Sequence, residues 1–73
     1  MPYIHPKRRE ELDSNPMVET PGELNYKLTL EVAAYLKHKG ENYQTYNDII
    51  GALEGAKFEV YRRMVAPYEN TKI

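Results

Sequence analysis

A chain of 73 residues without cysteine is one small domain, with no disulfide framework and no cysteine zinc site. Its 10 basic and 11 acidic residues leave a net charge of −1, so it lacks the basic stripe that a nucleic-acid coat needs to displace counterions. No apolar run reaches the length of a membrane span, and the N-terminus has no apolar signal-peptide core, so a soluble cytoplasmic protein with no membrane partner is expected.

Met1–Glu19 contains Pro2, Pro6, Pro16 and the charged block Lys7-Arg8-Arg9-Glu10-Glu11. Proline biases a chain toward extended and turn conformations. The segment reads as an extended arm, with a short helical turn around Lys7–Leu12 as a local option. Tyr3, Ile4, Leu12, Met17 and Val18 are its candidate anchors on the body or on a neighbouring subunit. The alternative is a flexible tail. Because Glu10 and Glu11 balance the basic trio at once, that block reads as a solvated face.

The first long helix has a marked start. Thr20 is a candidate N-cap, Pro21 fits the first helical position, and Glu23 stands three residues after the cap. The helix is expected over Pro21–Lys39. Lys37, His38 and Lys39 suit its negative end, and Gly40 suits the left-handed position that follows. Leu24, Leu28, Val32, Tyr35 and Leu36 form its main apolar stripe, while Tyr26, Leu30 and Ala33 lie on another side. One partner helix would not cover both.

Glu41–Gln44 reads as a short loop. Thr45 is the candidate cap of a second helix, with Asp48 three residues on. That helix is expected over Tyr46–Val65, because Pro67 disfavours helix at Ala66. Residues 67–73 form a polar tail with Tyr68 as an anchor. A short loop makes the two helices antiparallel neighbours. The predicted fold is therefore all-α: an arm at 1–19, a helical hairpin at 20–66 and a tail at 67–73. A core this small rarely supplies more than about 3–5 kcal/mol. His5 and His38 are far apart in sequence, so a metal is not expected. Homo-oligomerisation, as a dimer or larger, is the remaining route to stability.

Gly51 and Gly55 stand four apart inside the second helix. Each costs roughly 1 kcal/mol relative to alanine there, and the usual reason to keep such residues is close approach by a backbone or ligand. At about 100° per residue, Gly51, Gly55, Phe58 and Arg62 share a side, with Ala52 at its border. Gly51, Ala52, Gly55 and Phe58, with Tyr26 and Leu30 of the first helix, are the candidate interface residues. A shallow ligand groove, with Phe58 stacking and Arg62 contacting an anion, is the alternative for this face.

Tyr46, Ile49, Ile50, Leu53, Ala56, Val60, Tyr61 and Met64 line the apolar face of the second helix, and Lys57 falls within it and must snorkel or pair, with Glu54 or Glu31 as partner. Its alternative role is a cation held for an anionic ligand. Arg62 and Arg63 favour the helix dipole and suit phosphate contact. Lys57, Tyr61, Arg62 and Arg63 are thus the candidate ligand-binding residues. The seven tyrosines suit interfaces and small-molecule pockets, or fill a core with hydroxyls at its rim. No phosphate-binding glycine loop, acid–base pair or activated nucleophile is present; Ser14, the one serine, lies in the arm. No catalytic residue and no cofactor are expected.

Pro21-Gly22-Glu23-Leu24-Asn25-Tyr26, the run Tyr43-Gln44-Thr45-Tyr46-Asn47-Asp48-Ile49-Ile50-Gly51-Ala52-Leu53-Glu54-Gly55-Ala56-Lys57-Phe58-Glu59-Val60-Tyr61-Arg62-Arg63, and Ala66-Pro67-Tyr68-Glu69 carry a resemblance over nearly the whole chain. The opening Met1-Pro2-Tyr3-Ile4 shares it. The chain resembles a family of very short uncharacterised proteins of phages and bacteria. That resemblance supplies no function and no site residues. It implies a phage or mobile-element setting, hence a host cytoplasm, where small helical proteins often act in host takeover or against defence systems. By this analogy the first expectation is a non-enzymatic oligomeric sponge for an anionic nucleotide-type ligand. The others are an adaptor or inhibitor that binds a host protein, and a structural virion or assembly component.

Overall fold

Helix starts and stops are set by which side chains satisfy the free backbone groups at each end. The computed structural model describes residues 4–14 and 16–72. Tyr3, one of the expected anchors, lies outside them, as do Met1 and Pro2 of the family-like opening. All regular structure among the described residues is helical. The chain divides into two units, Met1–His38 and Lys39–Ile73.

In the first unit, helix α1 spans Pro6–Asp13, where an extended arm with a helical turn is expected. Proline suits the first turn, where its missing N–H has no partner to lose. His5 caps the helix, its Nδ1 accepting from the Lys7 N–H at 3.2 Å. Helix α2 spans Pro21–Lys39, the stretch the capping pattern marks. Thr20 Oγ1 accepts the Glu23 N–H at 3.1 Å. Glu23 reaches back one residue further than a standard capping box: its Oε1 accepts the Glu19 N–H at 2.9 Å. Gly40 takes φ 90° after α2, the left-handed conformation a helix C-terminus requires there.

Three side chains on the first two turns of α2 hold α1. Arg8 donates to Glu23 through Nε at 2.8 Å and Nη2 at 2.7 Å. Tyr26 donates its hydroxyl to Asp13 Oδ1 at 2.9 Å. Lys27 donates to the Leu12 carbonyl at 2.9 Å, satisfying an acceptor at the end of α1. Leu12 is fully buried and is the chief anchor of the N-terminal segment, whereas Met17 is 82% exposed and anchors nothing. Lys7-Arg8-Arg9 is not a uniformly solvated face, because Arg8 also bonds Glu11 at 2.9 Å and the Met17 carbonyl at 3.1 Å.

In the second unit, helix α3 spans Tyr43–Val60 and starts three residues before its expected first residue, Tyr46. The cap is Asn42, not Thr45. Asn42 Oδ1 accepts the Thr45 N–H at 2.9 Å and the Thr45 hydroxyl at 3.2 Å. Asparagine is the stronger capping residue; Thr45, once inside the helix, becomes a buried polar group satisfied by that cap.

Pro67 does not end the helix. A π segment, Tyr61–Val65, follows α3, and helix α4, Ala66–Asn70, continues from it. The Ala66 N–H bonds the Tyr61 carbonyl, five residues back. In a regular helix the Pro67 ring would press on the carbonyl four residues before it. The wider π turn relieves that contact, so Ala66 keeps helical angles of φ −61° and ψ −45°.

Two outcomes test these assignments. The Arg8 bond and the Glu19 N–H lower the Glu23 pKa from its ordinary 4.5 to about 2. A lowered carboxylate pKa stabilises the fold above 4.5, and that contribution disappears as pH falls through about 2. Thermal melts by circular dichroism from pH 6 to pH 2 should show part of this loss abolished in Glu23→Gln. Separately, Asn42→Ala should cost about 1 kcal/mol in urea unfolding and Asn42→Asp far less; equal effects would remove Asn42 as the cap.

Candidate functional site

The continuous run of α3, the π segment and α4 forms one long helical surface. Ten large apolar side chains on it are at least 37% exposed: Tyr43, Tyr46, Ile50, Leu53, Phe58, Val60, Tyr61, Met64, Val65 and Tyr68. Only Thr45 and Ile49 are buried among the described residues of this unit. The run is roughly 40 Å long at 1.5 Å per residue. Its apolar stripe is the outstanding candidate surface of the chain.

Midway along this run lies a shallow depression of about 420 Å³, walled by Lys57, Phe58, Val60, Tyr61 and Val65. Every wall surface is apolar, so Lys57 contributes its methylene stem and not its ammonium group. That ammonium pairs with Glu54 at 3.5 Å, one of the two partners expected from the sequence. It also stands 5.9 Å from the centre of the Phe58 ring. Both members of the ion pair are mostly exposed, Lys57 by 73% and Glu54 by 55%, so the pair adds little stability in the single chain.

The expected ligand residues are only partly brought together. Lys57 and Tyr61 share the depression, but Arg62 and Arg63 are not among its walls. Arg63 is engaged by Glu59 one turn earlier on the helix. Arg62 has no ion-pair partner among the described residues. Val60 and Val65 complete the wall. Both lie within the expected helix Tyr46–Val65 but were not among its expected ligand residues.

The expected interface residues also separate. Among the described residues a Cβ at Gly51 or Gly55 would meet nothing within 4 Å, so no close approach seen there accounts for either glycine. Leu30 is partly exposed, but Tyr26 is buried and bonded to Asp13, which makes it a core residue of the first unit. Burial, followed by the bond to Asp13, raises its hydroxyl pKa. At the start of α3, the Tyr46 hydroxyl bonds Glu41, and that bond, with burial, raises its pKa above the ordinary 10.0.

Among the described residues no three His, Asp or Glu side chains gather as a metal site requires. No helix among them is long and apolar enough to cross a membrane. No curated protein matches the chain, and no solved structure does. A family model described as a domain of unknown function, DUF6899, matches residues 1–73. This short all-helical chain, with its long exposed apolar run, belongs to the DUF6899 family.

Proposed function

We propose that the chain is a non-enzymatic binding protein that assembles with copies of itself through the run Tyr43–Asn70. The observation that supports this is the stripe of ten exposed large apolar residues along that run. An amphipathic helix gains most of its stability from covering its apolar face. Here that face lies open to solvent, at a cost of the order of 25 cal/mol for each Å² left wet. A second copy removes the cost without adding another gene product, and most soluble oligomers are made of identical chains.

A second reading retains a small anionic ligand of nucleotide type, as in an anti-defence sponge from a phage. Lys57 and Tyr61 beside Phe58 in one depression favour it, and Arg62 is free to add a charge. The apolar walls weigh against it, because a nucleotide pocket needs converging polar groups as well as a stacking surface. A small molecule released on denaturation of the purified protein, absent from Lys57→Ala, would move the balance to this reading.

Native mass spectrometry at micromolar concentration should show a dimer or larger species, and a monomer alone would overturn the self-assembly reading. The glycines provide a second measurement. Because each lies beside open space, Gly51→Ala and Gly55→Ala should each strengthen the helix by about 1 kcal/mol. If their face is a packing seam, the double variant should nevertheless form smaller oligomers. Unchanged stoichiometry would exclude the glycines from the interface.

A further inference from the structure

The exposed stripe of the second unit reads almost the same in both directions. Tyr43, Tyr46, Ile50 and Leu53 are spaced three, four and three residues apart, and so are Phe58, Tyr61, Val65 and Tyr68. In sequence the two halves mirror each other about the peptide between Gly55 and Ala56, and the π segment, Tyr61–Val65, lies in the second half alone. Glu54 and Lys57 flank that same point, one residue out from each side.

We propose that two copies pair antiparallel along this stripe, with a two-fold axis passing beside Gly55 and Ala56. The proposal rests on the self-assembly reading above and specifies its contact. Reversal about that axis brings Tyr43 to the level of the partner's Tyr68, Tyr46 to Val65, Ile50 to Tyr61, and Leu53 to Phe58. An isologous contact needs this property, since each residue meets in the partner the residue that meets it in return. Val60 and Met64 fall at the levels of Gly51 and Asn47 and have no apolar counterpart.

Charge selects the direction. Covering the stripe withdraws Lys57 and Glu54 from water, and withdrawn charges must be paired. A parallel pair sets Lys57 against Lys57 and Glu54 against Glu54. An antiparallel pair sets each Lys57 at the level of the partner's Glu54, so that unlike charges meet. The same register sets Ile50 of one copy beside the Tyr61 wall of the other's depression. That depression is apolar, as a receptacle for such side chains has to be.

Because the chain has no cysteine, paired cysteine variants report direction without background. Tyr43 and Tyr68 lie far apart along the run and are 82% and 62% exposed, so replacing them spares the buried residues. Tyr43→Cys and Tyr68→Cys are purified separately, mixed and oxidised mildly. The expected product is a disulfide between the two variants, with neither variant cross-linking to itself. Ile50→Cys with Tyr61→Cys should behave likewise and covers the case in which the helix ends fray. Self-linking of Tyr43→Cys would overturn the antiparallel direction. Oligomers by native mass spectrometry without any cross-link from either mixture would overturn this contact while leaving self-assembly intact. A monomer would overturn both.

Discussion

Few of the described apolar side chains are buried, and the remaining features follow from that limit. Leu12, Tyr26 and Ile49 are the buried apolar residues among those described. A folded chain of this length buries a smaller share of its surface than a larger domain does, and here no disulfide supplements the core. Helices that keep so much apolar surface exposed owe their order to capping and local pairs, or to another molecule. The first device is visible. The caps at Thr20 and Asn42 satisfy backbone groups at low entropic cost. The apolar residues from Tyr43 to Tyr68 remain exposed.

Within the first unit, polar contacts perform part of what a larger core would. The Glu23 carboxylate takes Arg8 through two nitrogens and also the Glu19 N–H. One side chain therefore caps a helix and holds another helix at once. Arg8 and Glu23 are mostly covered, at 23% and 12% side-chain exposure, so water screens them less than it screens Lys57 and Glu54. Bidentate arginine–carboxylate geometry fixes orientation as well as distance. Leu12 then fills the space beneath, and Tyr26 and Lys27 tie down the C-terminal end of α1. An arginine that the sequence places in a balanced, solvated block is thus the main polar link of this unit.

What could be read from the sequence was local. Thr20, Pro21, Glu23 and Gly40 mark α2 because each signal acts within one turn of the residue that carries it. The pairing of Lys57 with Glu54, three residues apart, was readable for the same reason. Arg8 was misread because its partner lies 15 residues away, and nothing in a charge run shows a contact of that range. Asn42 was passed over because Thr45 also resembles a cap, and two candidates three residues apart mark two different starts for the same helix. Pro67 misled because the rule against proline assumes α-helical spacing, and a π turn changes the spacing. The candidate site was legible as a list of apolar positions but not as exposed surface. Exposure depends on what else packs there, and no periodicity records that.

A stripe made of apolar residues alone would accept a partner helix in either direction and in several registers, since hydrophobic burial is non-directional. Placing one acid and one base at its centre changes that. A charge buried against its like is penalised more than a matched pair is rewarded, so the device acts chiefly by excluding wrong arrangements. Polar residues inside otherwise apolar helix contacts are known to fix register and orientation in this way, at some expense in stability. Lys57 is exposed and weakly paired in the single chain. In the antiparallel pair proposed for this surface, it is the residue that sets direction, and the weak Glu54 contact seen within one helix becomes half of a two-fold set.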